Sequence, residues 1–236
     1  MDLLEKLKNG QTMIFDGAMG TMLQANGLGI GECPEEWNVS HPDVVEQIHR
    51  AYFDAGSDIV ETNTFGGNRF KLERFGMGER VTEFNQAAVK NARAAAPKGK
   101  FVAGSVGPTG EFLEPYGTVK YEDMRAVFEE QVSALADAGA DIICVETMSD
   151  TKEAEAAIEA AQKCTKCMVF ASMTFNSDRR GYRTMMGTDP AAAARALEEA
   201  GAQVIGSNCG AGPEQMGDIL REMHGATSAF LLAKPN

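Results

Sequence analysis

The sequence predicts an α/β fold in which repeated strand–helix units close toward a (β/α)8 barrel. Three observations carry this expectation. A junction recurs as Ala55-Gly56-Ser57-Asp58-Ile59, Ala138-Gly139-Ala140-Asp141-Ile142 and Ala200-Gly201-Ala202-Gln203-Val204, always between an amphipathic stretch and a short apolar run. Physically this is a helix ending on a left-handed glycine, a two-residue link and a buried strand. Helical patterns separate consecutive strands, which demands parallel pairing through right-handed crossovers. Finally, polar residues close nearly every expected strand and no G-x-G-x-x-G turn follows one. A doubly wound open sheet would instead gather its chemistry at one switch point. The barrel is favoured.

Taken in order, strands are expected to begin near Thr12, Asp58, Lys100, Asp141, Cys167, Gln203 and Ala229, seven in all. The residues expected at their C-terminal ends are Asp16, then Glu61 and Asn63, Ser105, Glu146 and Thr147, Asn176, Asn208 and Cys209, and Lys234 with Asn236. Helix starts are equally legible. Ser40 is the expected N-cap of a helix with Pro42 in its first turn, and Val44, Val45, Ile48, Ala51 and Tyr52 share one face of it. Ser149 or Asp150 can cap a later helix, and Asp189-Pro190 puts a capping carboxylate before a proline. No linker or low-complexity segment divides the chain. Residues 1–236 are expected to form one barrel domain, C-terminally incomplete because the seventh strand lies at the end of the sequence.

Composition excludes several classes. The chain has 22 Lys+Arg against 34 Asp+Glu, a net charge of −12, with no basic stripe. Nucleic acid is not an expected partner, since phosphate neutralisation needs clustered positive charge. No apolar run approaches the ~18 residues of a membrane span. The N-terminus, Met1-Asp2-Leu3-Leu4-Glu5-Lys6-Leu7-Lys8, mixes charges too closely for a signal peptide. Five cysteines, an odd number, argue for a reducing compartment, so a cytoplasmic location is expected.

Several residues are candidates for chemistry. In Asp16-Gly17-Ala18-Met19-Gly20-Thr21 the acidic side chain would point into the barrel mouth, and exposed backbone N–H groups could hold a carboxylate. A plain tight turn explains the glycines equally well. Glu61 and Glu146 end two strands, where a buried Glu is rare unless paired or functional. An acidic mouth would suit a substrate ammonium, and a structural Glu satisfied by a neighbouring Arg or backbone donors is the alternative. Cys164-x-x-Cys167 has metal or redox spacing but no second pair, and falls at the face opposite the expected site. Cys33 in a loop and Cys144 within a strand read as ordinary thiols. Cys209 differs, because it follows a strand and precedes Gly210-Ala211-Gly212-Pro213, which opens a helix. That setting favours a thiolate, with a buried bystander as the alternative. His41, His49 and His224 fall in helices or their caps, so no histidine-based triad is expected.

Together these motifs resemble the homocysteine S-methyltransferases. The resemblance is carried in order by Asp16-Gly17-Ala18-Met19-Gly20-Thr21, Glu61-Thr62-Asn63-Thr64-Phe65-Gly66, Gly104-Ser105-Val106-Gly107-Pro108-Thr109-Gly110, Val145-Glu146-Thr147 and Gly206-Ser207-Asn208-Cys209. Leu113-Glu114-Pro115-Tyr116-Gly117 is most similar to the homocysteine module of cobalamin-dependent methionine synthases. The resemblance implies a (β/α)8 barrel that binds zinc through three cysteines, with Cys209 as catalytic zinc ligand. It further implies that Asp16, the backbone of Gly17 and Ala18, Glu146 and Thr147 hold homocysteine. Asn236 matches an Asn that can approach the metal. The other two family cysteines form an adjacent pair after the eighth strand, beyond this sequence. The implied reaction deprotonates the homocysteine thiol on zinc and methylates it from methylcobalamin, which further cobalamin- and folate-binding modules or a partner chain would supply. Two rivals stand beside it: a cobalamin-independent homocysteine methyltransferase using a small methyl donor, and a non-catalytic homocysteine-binding fragment.

Overall fold

Gly56, Gly139 and Gly201, the glycines of the recurring junction, have φ of 116°, 97° and 104°. An L side chain resists that region, so each glycine can turn a helix sharply into the strand that follows. The computed structural model describes residues 3–236; Met1 and Asp2 of the charged N-terminus lie outside the described residues.

In chain order the elements are α1 (Leu3–Lys8), α2 (Gly20–Ala25), α3 (Trp37–Ser40), α4 (Pro42–Ala55), β1 (Ile59–Glu61), α5 (Arg69–Glu73) and α6 (Val81–Ala95). There follow β2 (Phe101–Val106), α7 (Tyr121–Asp137), β3 (Ile142–Met148), α8 (Thr151–Cys164), β4 (Met168–Met173), β5 (Asn176–Asp178) and β6 (Gly181–Arg183). The last are α9 (Pro190–Glu199), β7 (Val204–Asn208), α10 (Pro213–His224) and β8 (Phe230–Lys234). Among the described residues six strands form one parallel sheet in the order β1-β2-β3-β4-β7-β8, a curled half-barrel. β5 and β6 make a separate antiparallel hairpin.

Strand alternation sorts the core into two layers. Ile59, Ala103, Ile142, Cys144, Phe170, Val204 and Leu232 point to the concave side and cluster with Leu3 of α1. Val60, Val102, Ile143, Val145, Val169 and Ile205 face the other way, into a larger cluster built with the helices. Gly206 leaves no room for a side chain against β8: a Cβ there would lie 1.9 Å from the Leu232 carbonyl oxygen.

Three expectations are corrected. The strand expected near Thr12 is reduced to a single parallel bridge between Phe15 and Ile59. Asp58 pins this segment, its Oδ2 accepting from the Ile14 N–H at 3.1 Å while its own N–H donates to the Ile14 carbonyl at 2.7 Å. The sheet therefore has six strands plus one rung among the described residues, where seven were expected. Asn176 does not close a strand of the sheet, because β4 ends at Met173 and Asn176 opens the exposed hairpin. Ser40 does not cap α4: it is the last residue of α3, its hydroxyl donating to the Glu36 carbonyl, and His41 stands at the N-cap with Pro42 following. By contrast Asp150 and Asp189 cap α8 and α9 as expected, accepting from the N–H groups of Lys152 and Ala192.

α4 also carries a buried histidine. His49 is fully enclosed, and among the described residues neither ring nitrogen has a partner. Burial lowers its pKa from 6.5 to about 4. The unfolded chain therefore binds the proton more readily than the folded one between these values. Stability from this group is complete above about pH 6.5 and declines by about 3 kcal/mol as pH falls to about 4. Denaturant unfolding across that window should show the decline, and His49→Leu should flatten it whatever its effect at neutral pH. An unchanged slope in the variant would assign the acid sensitivity elsewhere.

Candidate functional site

The site forms where the C-terminal ends of the strands converge. Just after the Phe15 rung, Asp16 turns inward and is held by β1: its N–H donates to the Ile59 carbonyl at 3.0 Å, and its Oδ2 accepts from the Glu61 N–H at 2.9 Å. Its other oxygen, Oδ1, is buried and has no partner among the described residues. Burial, with the nearby Glu61 charge second, pushes the Asp16 carboxyl well above its ordinary range. An unpaired buried carboxylate oxygen is costly unless a ligand completes it.

Lys234 supplies the counter-charge. Its Nζ donates to Glu61 Oε1 at 2.6 Å and to Glu146 Oε2 at 2.7 Å. These groups sit on β8, β1 and β3, so the lysine links the two edge strands of the sheet through the mouth. Ser105 of β2 donates to the remaining Glu146 oxygen at 2.5 Å. Burial works against the Lys234 charge, and the acidic groups around it, Cys144, Glu61 and Glu146, more than offset that. Burial raises the Glu61 carboxyl, and the Glu146 charge adds to the effect. Cys144 is more than filler: its thiol is fully buried beside the Glu61, Glu146 and Lys234 charges, and burial drives it well up.

The other pole of the site has unusual backbone. Thr147 and Cys209 are the two non-glycine residues with positive φ among the described residues, at 60° and 57°. Asn208 holds both. Its Oδ1 accepts from the Thr147 N–H and from the Ser172 hydroxyl, each at 2.8 Å. Its Nδ2 contacts Thr147 Oγ1 at 2.7 Å and Cys209 Sγ at 3.3 Å. Cys209 is also tied to the strand beside it, its N–H donating to the Lys234 carbonyl at 3.0 Å.

Two adjoining cavities, of about 350 and 390 Å3, share Asp16, Gly17, Ala18, Glu61, Glu146 and Cys209 in their walls. Thr147 lines the first and Asn236 the second, so every residue expected at the site meets there. Sequence reasoning missed Lys234, Asn208 and Glu35 as working parts. Glu35 walls the first cavity, accepting from the Gly66 N–H at 2.7 Å and from the Cys33 thiol at 3.4 Å. Burial and the Glu35 charge push that thiol up to about 12. The Glu35 signal in the sequence was the acid-rich Pro34-Glu35-Glu36; the Lys234 signal was a cation at the end of a strand facing acidic strand ends. Cys164 and Cys167 lie outside both cavities, with Cys167 donating to the Ala140 carbonyl near the strand starts.

For zinc, the donor set is short. Among the described residues no group of three or more His, Cys, Asp and Glu side chains is placed to hold a metal ion. Cys209 is the one thiol lining the two cavities, Asn236 adds at most an amide oxygen, Glu61 and Glu146 are taken up by Lys234 and Ser105, and Asp16 leaves one oxygen open. A tetrahedral zinc site needs at least three protein ligands, so these residues alone do not fit it.

The chain belongs to the homocysteine S-methyltransferase family, whose model matches residues 13–236. It is 36% identical to the methionine synthase of Mycobacterium tuberculosis and 35% identical to that of Mycobacterium leprae, each match covering 94% of this chain. It spans only 20% and 19% of the length of those relatives. Among solved structures it is similar to the metallated form of the homocysteine methyltransferase MmuM from Escherichia coli. That match has a TM-score of 0.81 at 26% identity, over 97% of this chain and 85% of the other. No helix among the described residues is long and apolar enough to cross a membrane.

Because Lys234 is the shared partner of two enclosed carboxylates, Lys234→Met should strand both. Breaking such a buried pair costs about 3–5 kcal/mol. Urea unfolding should show the loss, with Glu61→Gln/Lys234→Met recovering part of it; a variant as stable as the parent would mean that the bridge is not a structural element.

Proposed function

We propose that this domain binds homocysteine in the mouth of the half-barrel and presents its thiol for methylation, giving methionine. The observation that carries the reading is the meeting of Asp16, Gly17, Ala18, Glu146, Thr147, Cys209 and Asn236 around two joined cavities, in a chain of this family. The roles follow from chemistry. Asp16 Oδ1, buried and unpartnered among the described residues, accepts the substrate ammonium. Glu146 is clamped by Lys234 and Ser105 and adds negative potential behind it. The backbone N–H groups of Gly17 and Ala18 receive the carboxylate, since among the described residues neither donates a hydrogen bond. The thiol end then lies toward Cys209.

Zinc and methylcobalamin belong to the same proposal. Bound zinc would lower the pKa of the substrate thiol. Cys209 would be this chain's contribution to such a site, with Asn236 as a weak ligand. The methyl group of methylcobalamin would reach the mouth from cobalamin- and folate-binding modules or a partner chain, in a cytoplasmic setting.

Isothermal titration of the intact protein with homocysteine, together with a methionine-formation assay, tests the reading. Asp16→Asn should weaken homocysteine binding by about 1.5–3 kcal/mol through loss of a charge-assisted hydrogen bond. Glu146→Gln should weaken it too, through the clamp. Cys209→Ser should abolish methionine formation while leaving the fold intact. Failure of the intact protein to bind homocysteine would overturn the proposal.

A further inference from the structure

We propose that Tyr52 is a positioning residue of the substrate site: from the last turn of α4 it braces the Gly17–Ala18 loop that receives the substrate carboxylate. The inference rests on the reading of that loop given above. Two separate contacts carry it. The Tyr52 hydroxyl donates to the Ala18 carbonyl at 2.8 Å, across 34 residues of sequence. The face of Gly17 rests on the same ring, so close that a Cβ there would lie 3.0 Å from both Tyr52 Cε1 and Oη.

The ring is itself held, because Tyr52 packs against the helix-side core and also against the cluster of Leu23, Trp37, Val45 and Ile48. It is thus a rigid strut between the body of the barrel and a loop that has no secondary structure of its own. β1 fixes the Asp16 end of the loop, through Ile59 and Glu61, and Tyr52 fixes the Gly17–Ala18 end. The bond to the Ala18 carbonyl sets the plane of the following peptide, and the contact at Gly17 limits how far the loop can retreat. Both leave the loop N–H groups unspent on the protein. Burial and the neighbouring Asp16 charge push the Tyr52 phenol up, so it remains a donor.

Tyr52→Phe removes the hydroxyl and keeps the ring. The probes are homocysteine and 3-aminopropanethiol, which has the same thiol and amine but no carboxylate. In titrations of the intact protein, Tyr52→Phe should weaken homocysteine about fivefold, the worth of one hydrogen bond, and leave 3-aminopropanethiol within twofold. Gly17→Ala, which drives a methyl into the ring, should give the same selective loss, and the double variant should lose less than the product of the two. Equal weakening of both ligands would show a general structural effect and overturn the proposal, as would unchanged affinity for homocysteine. If the parent protein does not itself prefer homocysteine to 3-aminopropanethiol, the carboxylate reading of the loop fails, and the role of Tyr52 falls with it.

Discussion

The mouth of this half-barrel depends on one largely enclosed ammonium. Lys234 lies on the outermost strand at one side of the sheet and Glu61 on the strand at the other, 173 residues apart. Their contact requires the sheet to curl far enough for its two edges to meet through side chains. Glu146, on a central strand, joins the same cation. Backbone pairing propagates along the sheet from β1 to β8, whereas this bridge acts across it. Asp16 is fixed to β1, and Cys209 is hydrogen-bonded to the Lys234 carbonyl, so the bridge sets the distance between the acidic and thiol poles of the site.

The charge count of the mouth is lopsided. Asp16, Glu61 and Glu146 face one lysine, and the two glutamates are the ones it satisfies. Asp16 keeps one oxygen in reserve. In so enclosed a place a further cation is favoured, because burial disfavours an uncompensated negative charge more than it does in water. In the proposed function an amino-acid ammonium would provide that charge, on a molecule whose carboxylate would meet the loop N–H groups. The pocket's sign and its open hydrogen-bonding groups are thus those that the proposed binding of an α-amino acid calls for.

Much of this was legible in the sequence, because the signals were local. The glycine junctions announced three helix-to-strand turns, and six of the seven expected strands begin one residue before those observed. The expected site residues met because strand ends in a parallel barrel share one face. What escaped were features set by long-range geometry. The Thr12 segment pairs at one rung only, since the Asp58 side chain takes over the Ile14 N–H. Lys234 was expected only as one of the polar residues closing a strand, and its partners Glu61 and Glu146 are remote in sequence. Asn208 was recognisable as polar, but its role comes from joining two strand tops. The Asn176 hairpin was misplaced because a short polar alternation with a Gly turn resembles the tail of the strand before it.

The left-handed backbone at Thr147 and Cys209 has a consequence for how such a site persists. A non-glycine residue held there costs about 1–3 kcal/mol, and a β-branched one such as Thr147 lies at the unfavourable end. Glycine at either position would relieve the chain and remove the functional group in the same stroke. Selection on thermal endurance alone would thus drift toward a quieter backbone with an empty mouth. Under the proposed function, selection on turnover is what would keep these two side chains in place, with Asn208 as the brace that makes their conformation tolerable.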